Sequence, residues 1–90
     1  MTDTRLQVFC TVAEQLSFSK AAKILGISQP AVTKHISRLE QEIGSALFVR
    51  ISNTVLLTEI GEAFYKKSYE ILKLYQSIDS LKYLKTDVTV

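Results

Sequence analysis

The segment that decides the fold is residues 17–36, SFSKAAKILGISQPAVTKHI, in which two amphipathic helical patterns meet at a glycine. Ser17 caps the first pattern and Gly26 ends it, because glycine adopts a positive φ without steric strain. Ser28 caps the second pattern, and Pro30 falls in its first turn, where a missing N–H breaks no helical hydrogen bond. Two capped helices joined by so short a turn predict a helix-turn-helix unit.

Further elements are predicted on both sides of this unit. Apolar residues at helical spacing indicate helices, Asn53 favours a tight turn between two short extended pieces, and Thr58 is a good cap for a last helix. In chain order we predict helices over about 4–15, 18–25 and 29–43, strands at 49–51 and 55–57, and a last helix from 59 to about 84. The predicted fold is mainly α: a winged helix-turn-helix of three helices and a small β-hairpin wing, followed by a long dimerisation or linker helix.

Two rows of apolar residues are expected to form the core, because they recur at the spacing of one helix face. In the first helix these residues are Leu6, Phe9, Val12, Ala13 and Leu16. In the third helix they are Val32, Ile36, Leu39 and Ile43, and Gly44 is predicted to end this helix.

Composition sets broad limits on the function. Ninety residues with a net charge of +2 fit one small domain. One cysteine, Cys10, forms neither an internal disulfide nor a cysteine cluster for a metal, and we predict a reduced, cytoplasmic setting without a membrane segment. The sequence has no paired carboxylates, nucleophile triad or glycine-rich phosphate loop, so we predict no enzyme activity, no cofactor and no metal.

The polar face of the second helix in the unit carries side chains that suit the edges of DNA bases. The amide of Gln29 can pair bidentately with adenine, and Thr33, one turn later, offers a hydroxyl and a methyl group. Pro30 and Ala31 present apolar surface to a thymine methyl group, and Lys34 reaches a guanine edge or a phosphate. We therefore predict base contacts from Gln29, Pro30, Ala31, Thr33 and Lys34.

Basic and hydroxyl side chains around these residues suit the DNA backbone. Between residues 17 and 58 the chain has five basic residues and two acidic ones. Local positive charge at helix N-termini favours phosphate binding. We predict phosphate contacts from Ser19, Lys20, Ser28, His35, Arg38, Arg50 and Asn53. His35 has no second histidine or nucleophile beside it in the pattern, which favours this role over catalysis or metal binding.

Several ordered motifs together resemble the N-terminal domain of the LysR-type transcriptional regulators. They are SFSKAA at 17–22, ISQPAVT at 27–33, Ile36 with the Leu39–Glu40 pair, LFVR at 47–50 and LTEIG at 57–61. The resemblance covers about residues 4–85. It implies a bacterial transcription factor that binds an imperfect dyad near a promoter. It also implies that the side chains at 29, 30, 33 and 34 approach bases or adjacent phosphates, with Arg50 at the start of the wing.

The wing departs from the pattern of the family it resembles. That family often has arginine or lysine at the positions of Asn53, Thr54 and Leu56, and this chain has none there. The recognition helix has Thr33 and Lys34 where the family usually has serine and arginine, and lysine lacks the guanidinium fork. We therefore expect weaker binding and a shallower salt dependence than a relative with a basic wing has.

The long last helix has the spacing of a helix–helix interface. Phe64, Ile71 and Ile78 lie seven residues apart, and Leu74 and Leu81 form a second row. Around Ile60 and Phe64 the alternative is packing on the first helix of the same chain. We predict a homodimer with antiparallel partner helices through Phe64, Ile71, Leu74, Tyr75, Ile78 and Leu81, so that two recognition helices meet a pseudo-palindrome.

The predicted organisation has three parts: a winged helix-turn-helix over 1–58, a linker and dimerisation helix over 59–85, and the start of a hinge at 86–90. The resemblance implies a C-terminal domain for a small-molecule effector, so we expect this chain to be part of a longer protein that can form tetramers. An alternative function remains open: a winged helix that binds a protein partner without specific DNA binding.

Overall fold

The computed structural model describes residues 1–84 and 86–88, with four helices and one hairpin in that part of the chain. The helices are α1 (Asp3–Gln15), α2 (Phe18–Leu25), α3 (Gln29–Ile43) and α4 (Glu59–Asp79). The strands β1 (Phe48–Ile51) and β2 (Thr54–Leu57) pair antiparallel, and a 3₁₀ segment, Ser80–Leu84, follows α4. The winged helix-turn-helix predicted from the sequence is confirmed.

Each helix begins at a hydroxyl side chain that accepts a backbone N–H three residues further on, which satisfies a donor that the helix itself leaves free. These caps are Thr2, Ser17, Ser28 and Thr58. Gly26 and Gly44 end α2 and α3 in the left-handed conformation, at φ 69° and 78°. The sequence marks both glycines and three of these caps because capping depends on local chemistry.

The core lies where α1 meets the other elements. Phe9 is completely buried, and its ring packs against Phe48 of β1 and Phe64 of α4, with centroids 5.3 and 4.9 Å apart. The ring of Phe18 in α2 also packs against Phe48, with centroids 5.8 Å apart. These tilted and edge-on aromatic pairs join α1, α2, α4 and the hairpin in one cluster.

The hairpin is fixed to α3 and α4 by polar contacts at its base. The carboxylate of Glu40 accepts the N–H of Leu47 at 2.8 Å and the N–H of Phe48 at 3.5 Å. Thr58, which follows β2, donates its N–H to the carbonyl of Leu47, which precedes β1, at 3.0 Å. Gly61 lies so close to that carbonyl that a Cβ would overlap the oxygen. Helix α3, the wing and α4 are therefore closely packed against one another at the base of the hairpin.

Several expectations need correction. Leu16 is not on the buried face of α1: it is the left-handed C-cap, at φ 49°, and is 42% exposed. Ile43, in the last turn of α3, is 37% exposed because α3 runs past the core there. Ile60 is 46% exposed, whereas Phe64 packs on Phe9 of α1.

The ends of three predicted elements also differ. β1 begins at Phe48 and β2 at Thr54, each one residue earlier than predicted, because Phe48 pairs with Leu57 and Ile51 with Thr54. The last helix is not α-helical to residue 84, since the chain turns 3₁₀ from Ser80. Lys85, Thr89 and Val90, which the predicted helix end and hinge include, lie outside the described residues.

The described part of the chain is elongated, with extents of 57 × 25 × 19 Å, because α4 continues beyond the body. Along residues 1–84 and 86–88, every helix is too short or too polar to span a membrane.

Candidate nucleic-acid interface

The N-termini of α2 and α3 and the tip of the wing surround one open concavity of about 300 Å³. Gln29 contributes from the first turn of α3, Lys20 from the first turn of α2, and Arg50 and Asn53 from the hairpin. Its remaining lining includes Ser17, Ser19, Phe18 and Val55. The fold thus brings together five of the predicted DNA-contact residues: Gln29, Ser19, Lys20, Arg50 and Asn53.

Arg50 is positioned by an aromatic ring. Its guanidinium carbon lies 4.9 Å from the ring centroid of Phe18, a cation–π contact. Arg50 is paired across the hairpin with Val55, and Val55 is buried, so the arginine projects from the side of the wing that faces the helices. No carboxylate within 4.0 Å neutralises Arg50 among the described residues, and its charge remains available to an anion.

A second, smaller concavity of about 160 Å³ continues from Arg50 along α3. Thr33, Ser37 and Glu40 line it on the helix side. Since residues 29, 33, 37 and 40 follow one another at steps of three or four, they form one flank of α3. The flank presents the amide of Gln29 and the hydroxyls of Thr33 and Ser37 beside the Arg50 guanidinium. Glu40 lies at the end of the flank that is next to the wing.

The other predicted residues of α3 lie elsewhere on its surface. Pro30 and Lys34 are exposed one position further round the helix, and Arg38 is exposed beyond them. Ala31 and His35 are half-buried, one turn apart on the flank opposite Gln29 and Thr33. The Nδ1 atom of His35 is buried without a hydrogen-bond partner among the described residues. Ala31 and His35 therefore lie at the edge of the surface and not among its central groups.

Three residues that shape this surface were not predicted from the sequence. Phe18 holds Arg50, although its only sequence signal is an aromatic residue directly after a cap. Ser37 lies on the Gln29–Thr33 flank, and its position four residues after Thr33 could have identified it. Glu40 is an acidic residue of α3, and its role as the acceptor for Leu47 and Phe48 requires knowledge of where the wing packs.

The apolar face of α4 is open to solvent. Ile71, Leu74, Tyr75 and Ile78 line a shallow groove of about 350 Å³, and Leu81 is exposed one turn further on. Phe64, which the sequence also places in this row, packs edge-on against Phe9 of its own chain. In the row that contains Phe64, the exposed apolar side chains therefore begin at Ile71.

A protonation-sensitive pair lies on the α1–α4 side, away from both concavities. Burial, and then the charge of Glu14, raises the pKa of the Cys10 thiol to about 11. Tyr65 donates a hydrogen bond to Glu14 at 2.9 Å. Burial and this carboxylate raise the pKa of the Tyr65 hydroxyl to about 12. Both groups are neutral at physiological pH, and the hydrogen bond from Tyr65 to Glu14 joins α4 to α1.

The fold and this surface define a winged helix-turn-helix protein with a basic concavity at the N-termini of α2 and α3. Residues 4–62 match the family described as bacterial regulatory helix-turn-helix protein, lysR family. The chain therefore belongs to the LysR family, and the resemblance found in its sequence motifs is confirmed.

Among curated proteins, the chain is 51% identical over 69 residues to the HTH-type transcriptional regulator BudR of Klebsiella aerogenes, covering 77% of this chain and 48% of BudR. Among solved structures, it matches the BenM_DBD/catB site 1 DNA complex with a TM-score of 0.87 and 33% identity, covering 99% of this chain and 100% of that one. Full-length OxyR C199D from Pseudomonas aeruginosa gives a TM-score of 0.88 at 31% identity, covering 97% of this chain and 30% of that one. The chain spans about half the length, or less, of the curated relatives that it matches.

Proposed function

We propose that this chain is the DNA-binding part of a transcriptional regulator, with α3 in the major groove of a pseudo-palindromic promoter site. The observation that carries the proposal is the concavity in which Gln29 shares its walls with Lys20 and Arg50. An amide between two cations at a helix N-terminus suits a base edge next to a phosphate. The solved complex of BenM_DBD with DNA supports the same use of a closely similar fold.

The base contacts are assigned to the exposed part of α3. Gln29 pairs with an adenine edge, and Thr33 contacts the neighbouring base from the same flank. Pro30 offers apolar contact, and Lys34 reaches a guanine edge or a phosphate from the adjoining row. Ala31 stays a prediction at the edge of this surface.

The phosphate contacts surround these base readers. Lys20, Arg38 and Arg50 supply charge, and Ser19 and Asn53 supply hydrogen bonds. The Oγ atom of Ser28 already accepts the N–H of Ala31 at 3.2 Å, so its hydroxyl proton is the group left to donate to a phosphate. The phosphate contact of His35 remains a prediction, because His35, like Ala31, lies at the edge of this surface. The role proposed for the whole surface is binding and not catalysis.

The second part of the proposal is a homodimer through α4, with Ile71, Leu74, Tyr75, Ile78 and Leu81 as the contact surface. Leu74 and Ile78 are each 64% exposed, although both are large and apolar. A second copy packed antiparallel covers this row and presents two recognition helices to successive major grooves. A cytoplasmic location, tetramers and an effector domain in a longer protein belong to the same proposal.

The test begins with selection of bound duplexes from a random DNA pool, which should enrich a dyad motif. On that motif, Gln29→Ala should weaken binding about 10–100-fold, with little effect on random duplex and no change in salt slope. Arg50→Gln should weaken binding to both duplexes and lower the slope of log K against log salt by about 1.

The control is Lys66→Gln, which removes one charge from an exposed position on α4 and should leave affinity and slope nearly unchanged. An absence of any enriched motif would contradict the proposal and favour a protein partner for the winged helix. Equal losses on selected and random duplex for Gln29→Ala would remove Gln29 from the base-reading set.

A further inference from the structure

Arg50 lies between two concavities that offer different surroundings to a DNA phosphate. Both Arg50 and Phe18 line the basic concavity of about 300 Å³ and the second concavity of about 160 Å³. On the basic side, Arg50 is joined by Lys20 and Ser19 from the N-terminus of α2. A phosphate on this side therefore meets two cations, a hydroxyl group and the positive end of a helix.

The second concavity has the groups of a phosphate site as well, apart from one negative charge. Thr33 and Ser37 line it from α3, with Arg50 on the side of the wing. Hydroxyl groups and a guanidinium are ordinary partners of DNA phosphates. Glu40 also lines this concavity, and it is the one acidic residue among the described residues that line either of the two. The DNA backbone thus has two paths past Arg50, and only one of them passes a carboxylate.

The negative charge of Glu40 is not required for its hydrogen bonds. Its Oε2 atom accepts the N–H groups of Leu47 and Phe48, and the amide oxygen of a glutamine can accept the same two groups. In the described part of the chain, no cationic nitrogen lies within 4.0 Å of this carboxylate. The side chain is half-buried, so solvent and salt screen its charge less than they screen a fully exposed one. An uncompensated negative charge therefore lies on a surface proposed to bind a polyanion.

We propose that Glu40 is a specificity-determining residue, because its charge excludes a DNA phosphate from the second concavity and confines the backbone to the basic concavity. The inference rests on the proposed DNA binding by α3. Random DNA is bound through its phosphates, so the exclusion removes one of two placements of the protein on it. On the selected site, Gln29 and Thr33 already fix the placement through base contacts. Glu40 therefore weakens binding to random DNA more than binding to the target.

Glu40→Gln tests this proposal, because it removes the charge and keeps an acceptor for Leu47 and Phe48. In fluorescence anisotropy titrations, binding to random duplex should become about three- to tenfold tighter, with a salt slope steeper by about 1. Binding to the selected duplex should change by less than about twofold, so that the ratio of the two affinities falls. A purely structural role of Glu40 predicts the opposite sign, since a loosened wing weakens binding to both duplexes.

Glu42→Gln is the matched control. It removes the same charge two residues further along α3, from a side chain that pairs with Arg5 at 3.8 Å. It should leave the affinity ratio within about twofold of wild type. Adding Ser37→Asp to Glu40→Gln returns a negative charge to the second concavity and should restore the wild-type ratio. Should Glu40→Gln fail to fold, Ser37→Lys offsets the charge of this concavity without touching the wing contacts and should lower the ratio.

An Arg50→Gln background separates repulsion of the phosphate from an effect of Glu40 on Arg50. The tighter binding of Glu40→Gln to random duplex should persist in this background. Its disappearance there would mean that Glu40 acts only through Arg50 and would overturn the inference. Equal gains on both duplexes, or no gain in a folded Glu40→Gln variant, would also overturn this inference alone. Failure of wild type to bind any selected duplex would overturn the proposed function as well.

Discussion

At the scale of single residues, Gly61 is the position where the fold leaves least room. A Cβ there would overlap the carbonyl oxygen of Leu47, which is held by the N–H of Thr58. Gly61→Ala should therefore lower the free energy of unfolding by about 2 kcal/mol or more, in spite of the better helix propensity of alanine. Urea unfolding followed by circular dichroism measures this change.

Gly44→Ala is the matched control for Gly61→Ala. Gly44 has a positive φ of 78°, and a Cβ at this position would have no neighbouring atom within 4 Å. The cost of alanine at Gly44 therefore comes from backbone strain and not from a steric clash. This substitution should cost about 1 kcal/mol. A loss at Gly61 no larger than the loss at Gly44 would show that the contact with Leu47 relaxes easily.

Tyr65 makes the free energy of unfolding depend on pH in the alkaline range. An unperturbed tyrosine in the unfolded chain ionises near pH 10. The pKa of Tyr65 in the folded protein is about 12, so its contribution is fully present below pH 10 and is lost as the pH rises toward 12. In a spectrophotometric titration, Tyr65→Phe should remove an ionisation near pH 12, and the urea midpoint of this variant should fall less between pH 10 and 12. Tyr83→Phe, at an exposed position after α4, is the control and should leave that ionisation in place.

The grouping of several residues of the proposed site was predictable from the sequence, because base and phosphate recognition depends on side-chain type at a helix N-terminus, while their contacts with DNA stay predictions. Gln29, Thr33 and Lys20 are examples, and the structure places Gln29 and Lys20 around one concavity with Arg50. The half-burial of Ala31 and His35 was not predictable, because it depends on how α3 is rotated against its neighbours. The exposed positions of Leu16 and Ile43 were missed for a similar reason: an apolar pattern does not show where packing stops.

At the scale of elements, the wing is the part that departs most from a basic DNA-binding hairpin. Asn53 occupies its turn at φ 64° and lies in the wall of the basic concavity. Asn53→Arg should raise affinity for DNA about tenfold and steepen the salt slope by about 1, because it adds one phosphate contact. Fluorescence anisotropy across a series of salt concentrations measures both quantities.

Asn53→Met separates the added charge from the altered backbone at this position. Methionine has a similar reach and a similar strain at positive φ, but no charge. Its affinity should stay at or below that of wild type. No gain for Asn53→Arg over Asn53→Met would mean that the wing tip lies away from the phosphates.

Element boundaries were predictable where local capping sets them. Ser17, Ser28 and Thr58 identified three helix starts from the sequence, and Gly26 and Gly44 identified two helix ends. The start of β1 at Phe48 was not predictable, since it depends on pairing with Leu57 and on the Glu40 carboxylate. The change to 3₁₀ geometry at Ser80 has no glycine or proline to mark it.

At the scale of the whole molecule, the proposed dimer accounts for the length of α4. Leu74→Glu combined with Ile78→Glu should give a monomer, because both side chains lie in the centre of the exposed row. Each monomer then has one recognition helix, so affinity for a dyad should fall at least 100-fold. Sedimentation equilibrium and DNA titration measure the two effects.

Gln76→Glu combined with Ser80→Glu places two charges at exposed positions outside this row, one on α4 and one at the start of the 3₁₀ segment. This control should remain a dimer. If the Leu74→Glu and Ile78→Glu double variant also sediments as a dimer, then the contact surface lies elsewhere on the chain.

The hydrogen bonds from Leu47 and Phe48 to Glu40 have a consequence for how the protein meets imperfect targets. They tie the wing to the recognition helix through a charged acceptor, and the close approach of Gly61 to Leu47 adds a second tie. The wing and α3 are therefore held rigidly relative to each other. They do not move apart or together to follow a groove that is too wide or too narrow. Half-sites of unfavourable width must be accommodated by deforming the DNA, so flexible base steps between the half-sites should influence affinity without being touched.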